Sequence, residues 1–388
     1  MKVIKEGRIP IKIWATDLEE GALEQARNLS NLPFAFKHIA LAPDCHQGFG
    51  MPIGGILATK GYVISNAVGK DIGCGMHSVK TNITVADFKT DTLKEIMGEI
   101  RKKIPVGFKH HKENYEEYMP ACSINLLKDM IVSQQWKSAC SQIGTLGGGN
   151  HFIEIQKGSD GFIWFMIHSG SRNLGKQVAD YYDKISVELN KKWGSSVPPS
   201  HELAYLPLDS PEAKSYLAEM DYCLEFAKAN RTLMASWIKK IFTDHIVCKF
   251  DEEIDIHHNY AVMEHHFGEN VMVHRKGATS AKEGEIGIIP GSQGTSSYIV
   301  KGLGNPESFK SCSHGAGRKM GRQDAKKTLN LQEEQKELED KGILHTIRGK
   351  DNLDEAPGSY KDIDVVMKNQ EDLVKIVVKL EPLGCIKG

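Results

Sequence analysis

The segment Asp71-Ile72-Gly73-Cys74-Gly75-Met76 sets a carboxylate three residues before a thiol, pinned between two glycines, and further potential metal ligands follow only far downstream. Glycine on both sides of the thiol lets carboxylate and thiolate converge where larger side chains would crowd the backbone. The candidate partners are His151 after three glycines in Gly147-Gly148-Gly149-Asn150-His151, His168 in Ile167-His168-Ser169-Gly170-Ser171-Arg172, and the doublet His257-His258 before Asn259. A chain that uses all of them must be interlocked, and it has no low-complexity linker or internal repeat to divide it.

Local pattern refines this set. The Asp71 to Cys74 stretch reads as a strand running into a glycine turn. His168 ends the apolar run Phe162-Ile163-Trp164-Phe165-Met166-Ile167, so it sits at a strand end. If residues 150–155 are a strand, Asn150, Phe152 and Glu154 face one way and His151 and Ile153 the other. Adjacent histidines in an extended segment also point apart, so only one of His257 and His258 reaches the same ion; the pattern does not choose which. The second doublet, His265-His266, reads as an ordinary turn. Asp44-Cys45-His46-Gln47-Gly48 offers three more donors, which serve equally well as loop anchors. By softness alone, thiolate with imidazoles suggests zinc or iron before manganese.

Two other loops carry chemistry. Pro290-Gly291-Ser292-Gln293-Gly294-Thr295-Ser296-Ser297 has the amides and hydroxyls of an anion cradle. In Ser313-His314-Gly315-Ala316-Gly317-Arg318, small neighbours leave an imidazole accessible, and a neutral imidazole nitrogen is a competent nucleophile towards an activated phosphate. Basic residues cluster at Arg101, Lys102, Lys103, Lys109 and Lys112, which reads as a solvated face. They cluster again at Arg318, Lys319, Arg322, Lys326 and Lys327, directly after His314, where contact with phosphates is the better reading.

The net charge of −1 excludes a global basic field, so any nucleic-acid surface must be local. Eight cysteines without Cys-x-x-Cys spacing predict a reduced, cytoplasmic protein. No leading apolar segment or run of roughly 18 apolar residues points to secretion or a membrane. The spacing of apolar residues predicts helices over 17–29, capped by Asp17, and over 92–103, 180–192 and 211–243. Residues 39–79 read as compact β structure, 285–292 as a strand and glycine turn, 332–350 as a polar surface excursion, and 365–380 as an apolar closing segment. The fold class expected is mixed α/β: one domain over residues 1–388, with a helical section at about 180–243.

Taken together, these motifs resemble the RtcB family of GTP-dependent RNA ligases over nearly the whole chain. The resemblance is carried by Ala42-Pro43-Asp44-Cys45-His46-Gln47-Gly48, the Asp71 to Met76 segment, Gly147 to Glu154, His168 to Arg172, His257-His258-Asn259-Tyr260, His274-Arg275-Lys276-Gly277-Ala278, Ser313 to Arg318 and the final Ile386-Lys387-Gly388. It implies an intertwined domain with mixed sheets around a central metal and nucleotide cleft. It also implies an enzyme joining RNA 3′-phosphate or 2′,3′-cyclic phosphate ends to 5′-hydroxyl ends, in RNA repair or tRNA splicing. GTP is the implied co-substrate, with two Mn²⁺ ions. An archease-like activator is a further partner the resemblance allows.

Residue by residue, the resemblance makes His314 the nucleophile that takes GMP from GTP. The metal ligands become Asp71, Cys74, His151, His168 and His258. Asn150, Glu154, Asn259, Pro290, Gly291, Ser292, Gln293, Ser297, Gly315, Ala316, Gly317 and Lys387 become nucleotide contacts, with Glu154 accepting from the guanine N–H edge. Lys70 and Gln293 depart from the family's usual residues, and the chain is short for the family.

Overall fold

The structure, a computed structural model, describes residues 1–121 and 130–388. Two sheets dominate it. The first runs in the order Lys2–Ile4, Ile11–Ile13, Ala35–Phe49, Met51–Thr59, Glu269–Lys276, Asn259–His266; the second in the order Phe250–His257, Gly75–Thr84, Phe162–Ser169, Phe152–Gly158, Val374–Lys387, Ser297–Gly302, Ile286–Ile289. All neighbours in these two sheets pair antiparallel except Ile11–Ile13 with Ala35–Phe49, which is parallel. The fold class is mixed α/β, as the sequence suggests.

Both sheets are apolar on both faces, and the period-2 alternation of strand side chains divides each strand between two cores. Ile39, Leu41 and Leu57 pack towards the helix Glu20–Ser30, whereas Ala40, Ala42, Ile56 and Ala58 pack against Val300, Phe309 and Ile363. In the second sheet Ile153, Ile155, Phe165 and Ile167 meet Ile96, Ile100, Ile238 and Phe242 of the helices Thr90–Lys103 and Pro211–His245. Phe152, Trp164 and Met166 fill the opposite side. A continuous apolar run such as Phe162 to Ile167 is therefore a strand covered twice.

The helical section is two long helices, Arg172–Trp193 and Pro211–His245, packed with Ile131–Gln142 around Val178, Tyr182, Tyr216 and Phe226. A turn at Pro199–His201 and the short strand Leu206–Pro207 separate them. Pro211 at the first helical position and the Ser210 hydroxyl, accepting from the Ala213 N–H, fix where the longer helix starts.

Three sequence expectations are corrected. The first helix begins at Glu20 with Glu19 as its cap, because Asp17 is used elsewhere, accepting from Lys361 Nζ at 3.0 Å. The polar stretch 332–350 is not only surface: the helix Leu331–Asp340 turns Leu338 onto Ile343, Ile347, Leu353 and Ala356 in a small core of its own. Asp71 and Cys74 precede a strand rather than ending one, since Gly75–Thr84 starts directly after the thiol. Seven cysteines are free; Cys122 lies outside the described residues. Among the described residues no helix is long and apolar enough to cross a membrane.

The closing residues tie the chain together. Val374–Lys387 sits inside the second sheet between Phe152–Gly158 and Ser297–Gly302, and Trp14 Nε1 donates to the Asp372 carboxylate. A buried ion pair braces the Gly73 turn and the end of Phe162–Ser169. Arg231, fully buried, donates to both Asp255 oxygens at 2.6 and 2.8 Å and to the carbonyls of Gly73 and Ser169. Asp255→Ala leaves that guanidinium without its counter-charge, and we expect a loss of about 3–5 kcal/mol, read from the denaturant midpoint.

Candidate active site

The Asp71 to Met76 segment folds as the sequence demands. Gly73 has φ +73°, and a Cβ there would sit 3.1 Å from both the Ala227 methyl and the Cys223 carbonyl of the long helix; one on Gly75 would collide with the Ile256 carbonyl. The thiol of Cys74 is thereby held where two groups of donors meet. Asp71, Cys74 and His151 form one, and Cys74, His168 and His258 the other, each with its ligand atoms within 4.8 Å. Cys74 belongs to both.

Distances and ring orientations make these groups a seat for a cation. His151 Nδ1 donates to the Leu146 carbonyl at 3.0 Å and His168 Nδ1 to the Asn150 carbonyl at 3.1 Å. Each ring therefore turns an Nε2 lone pair inward, a carbonyl-fixed orientation usual for metal-bound histidine. Those lone pairs meet other donors: Cys74 Sγ lies 3.4 Å from His151 Nε2 and 3.2 Å from His168 Nε2, and His168 Nε2 lies 3.3 Å from His258 Nε2. Lone pairs facing one another in a buried site repel unless a proton or a cation lies between them. Burial, with Asp71 adding to it, pushes the Cys74 thiol well above its usual range, and burial pushes His168 and His258 well below theirs. The residues fit divalent cations.

The doublet separates as alternation requires. His258 faces the thiol, whereas His257 points back to the Gly73 carbonyl and Arg231. His265 pairs with Asn270 and His266 with Glu264, both structural contacts.

His314 lies beside this group, its ring 4.9 Å from that of His258 and nearly edge-on to it. Its partner is Asp44, 270 residues earlier in the chain. Asp44 Oδ2 accepts from His314 Nδ1 at 2.6 Å, and from the backbone N–H groups of His314 and Gly315 at 3.1 and 3.3 Å. Burial alone would raise the Asp44 carboxyl, but His314 holds it below the usual carboxylate range. Nδ1–H is thus pinned and Nε2 left as the free nitrogen. Asp44 is therefore the residue that orients His314, a hydrogen-bonding anchor as the sequence allowed. His46 Nδ1 is tied to the Asp44 carbonyl.

A cleft of about 710 Å³ opens over both features, lined by Asp71, Cys74, Asn150, His168, His258, Asn259, Pro290, Gly291, His314 to Arg318, Arg322 and Lys387. Asn259 is already employed, its Nδ2 donating to the Asp71 carbonyl and its Oδ1 accepting from Gly277 N–H. In the Pro290 loop the amides are satisfied internally, Gly291 N–H by the Ser297 hydroxyl and Ser292 N–H by Thr295 Oγ1. Gln293 lines a smaller adjoining cavity of about 200 Å³ and donates to the Glu355 carbonyl.

Lys387 Nζ donates to Glu355 at 2.9 Å, and Arg318 and Tyr360 bind the same carboxylate. Burial would raise Glu355, but Lys387 and Arg318 hold it down to about 2. Glu355 and Tyr360 in this wall, and Arg172 lying 3.4 Å from His151, were not assigned roles from sequence. For Arg172 the available signal was position alone, since it closes the His168 motif.

Glu154 stands behind the cleft, buried on Phe152–Gly158 opposite Cys385, with Gln156 Nε2 donating to it at 2.6 Å. Burial pushes its carboxyl from 4.5 up to about 8, against Gln156 and Lys387. A folded-state value above the unfolded one costs stability as pH rises, at about 1.4 kcal/mol per unit between the two values. Glu154→Gln should remove that decline, so its thermal midpoint gains on the wild type as pH rises from about 5 to about 8.

Comparison with known proteins agrees with this geometry. The family model for tRNA-splicing ligase RtcB matches residues 25–129 and 121–388. Two proteins of Escherichia coli, RNA-splicing ligase RtcB1 of strain ATCC 25922 and RNA-splicing ligase RtcB of strain K12, are each 37% identical over 98% of this chain and 97% of their own length. The tRNA-splicing ligase RtcB of Nanoarchaeum equitans is 33% identical over 100% of this chain and 97% of its own. With a match that runs the length of the sequence and a cleft built from its motifs, this chain belongs to the RtcB family.

Proposed function

We propose that this protein is an RNA ligase that uses GTP to join RNA 3′-phosphate or 2′,3′-cyclic phosphate ends to 5′-hydroxyl ends, in RNA repair or tRNA splicing. The observation that carries the reading is His314, its Nδ1–H fixed by Asp44 and its ring against His258 of the donor cluster. A metallohydrolase with the same donors could use such an imidazole only to move a proton, and it would form no covalent histidine-GMP.

In this reading His314 Nε2 attacks the α-phosphorus of GTP; an N–P bond forms, the bond to the bridging oxygen breaks, and pyrophosphate leaves. Asp44 steadies the positive charge that the ring acquires. An oxygen of the RNA 3′-phosphate then displaces His314 from phosphorus, and the activated end is attacked by the 5′-hydroxyl, releasing GMP and forming the phosphodiester. A cyclic end is first opened by hydrolysis. Activation is needed because a phosphate monoester has no good leaving group.

Asp71, Cys74, His151, His168 and His258 would hold two divalent ions, manganese by family. Such ions, when bound, neutralise charge on phosphate oxygens. Asn150, Glu154, Asn259, the 290–293 turn, Ser297, Gly315 to Gly317 and Lys387 would form the nucleotide pocket, with Glu154 selecting guanine. Since burial raises the Glu154 carboxyl to about 8, a guanine that needs its carboxylate must displace a proton or share a hydrogen bond with it.

The test is to incubate the protein with Mn²⁺, GTP and two RNAs, one ending in a 3′-phosphate and one starting with a 5′-hydroxyl. Joined product that requires GTP supports the reading. Cleavage of phosphoesters without joining would replace it with the hydrolase.

A further inference from the structure

The basic stretch 101–112 contains Arg101, Lys102, Lys103, Lys109 and Lys112, with no acidic residue among them, and the structure gives it a centre that sequence alone did not suggest. Phe108 stands at its tip with its side chain fully in solvent, while Lys109, His110 and Lys112 around it are also exposed. A large aromatic ring left wholly in water amid cations offers a face on which a base can stack.

The ring is held by a loop that is anchored at both ends. Lys109 N–H donates to the Val106 carbonyl at 3.3 Å, closing a tight turn whose second residue, Gly107, has φ +64°. Val106 bridges Gly147 in parallel, Gly107 N–H donates to the Gly147 carbonyl at 2.8 Å, and Leu146 N–H donates to the Pro105 carbonyl at 3.0 Å. On the far side His111 binds the backbone twice, through Ser141 and Gly144. Leu146 is the link to the active site, because its carbonyl is the group that orients His151.

We propose that Phe108, with Lys109 and Lys112, is a stacking platform for single-stranded RNA leading to or from the ligation site. The inference rests on the RNA-ligase reading above. Single strands are held by cations that follow the backbone and by aromatic rings on which bases stack, tolerant of sequence because every base has a π face. An exposed ring between lysines, fixed to the segment that carries His151, supplies both. Phe108, Lys109 and Lys112 do not line the cleft, which makes the platform a contact for nucleotides away from the reacting ends.

The experiment measures the affinity of a length series of 3′-phosphate oligoribonucleotides, from about 4 to about 16 nucleotides, for wild type, Phe108→Ala, Phe108→Leu and Phe108→Trp. For the longer RNAs Phe108→Ala should lose about tenfold in affinity, Phe108→Leu should lose nearly as much, and Phe108→Trp should restore it. The shortest RNAs, and GMP transfer from GTP to the protein, should be unaffected. Lys109→Ala with Lys112→Ala should lower the salt dependence of binding. Wild-type affinity for Phe108→Ala or Phe108→Leu at every length, in a protein that still joins RNA, overturns the platform alone. A wild type that neither binds nor joins RNA overturns the ligase reading, and the platform with it.

Discussion

Asp44→Ala is expected to slow transfer of GMP to the protein by about a thousandfold or more, while Asp44→Asn, whose amide oxygen the two backbone N–H groups can hold in place, costs less. The difference follows from three donors that converge on one oxygen: His314 Nδ1–H and the N–H groups of His314 and Gly315. The amide oxygen of asparagine can occupy that position, so ring orientation and tautomer survive and only the charge that steadies the imidazolium is lost. Alanine removes the acceptor, leaving two backbone donors unsatisfied and the ring free to turn its Nε2 away. Single-turnover measurement of protein-bound GMP separates the two variants. Equal rates for both would show that charge, and not orientation, is what Asp44 contributes.

The second large effect is at Cys74. Because its sulfur is common to the Asp71 and His151 group and to the His168 and His258 group, Cys74→Ala should remove both of the metal equivalents proposed above. His151→Ala touches only the first group, so it should lose one equivalent and keep the other. Metal content after exhaustive dialysis, measured per chain, gives this count without any activity assay. We expect the Cys74 variant also to lose RNA joining by at least about a hundredfold, since neutralisation of phosphate charge is worth several kcal/mol. A Cys74→Ala protein that retains both equivalents would show that the sulfur is a buried packing atom.

Much of the site was legible because its chemistry sits in short motifs. Gly73 and Gly75 around Cys74, and the alternation that sends His257 and His258 apart, are local constraints that survive without knowledge of the fold. What sequence could not reveal is pairing across the chain. Asp44 looks like any loop aspartate until the Ser311–Ser313 strand, paired with Ala278–Ser280, carries His314 to it. Glu355 gave no signal at all, lying in a charged stretch, yet it gathers Arg318, Tyr360 and Lys387 at the cleft wall. Helix positions were readable from apolar spacing, but their ends were set by tertiary demands, as when Lys361 takes Asp17 from its expected capping role. The basic stretch around Phe108 read as a solvated face because composition cannot tell an anchored loop from a free one.

The central claim is that His314 carries the guanylyl group, and the direct measurement is covalent label from α-labelled GTP with Mn²⁺ on wild type and His314→Ala under denaturing conditions. The account predicts an acid-labile label on the wild type that is absent from the variant. An unlabelled wild type whose phosphoesterase activity survives in His314→Ala, or equal label on both proteins, would contradict it.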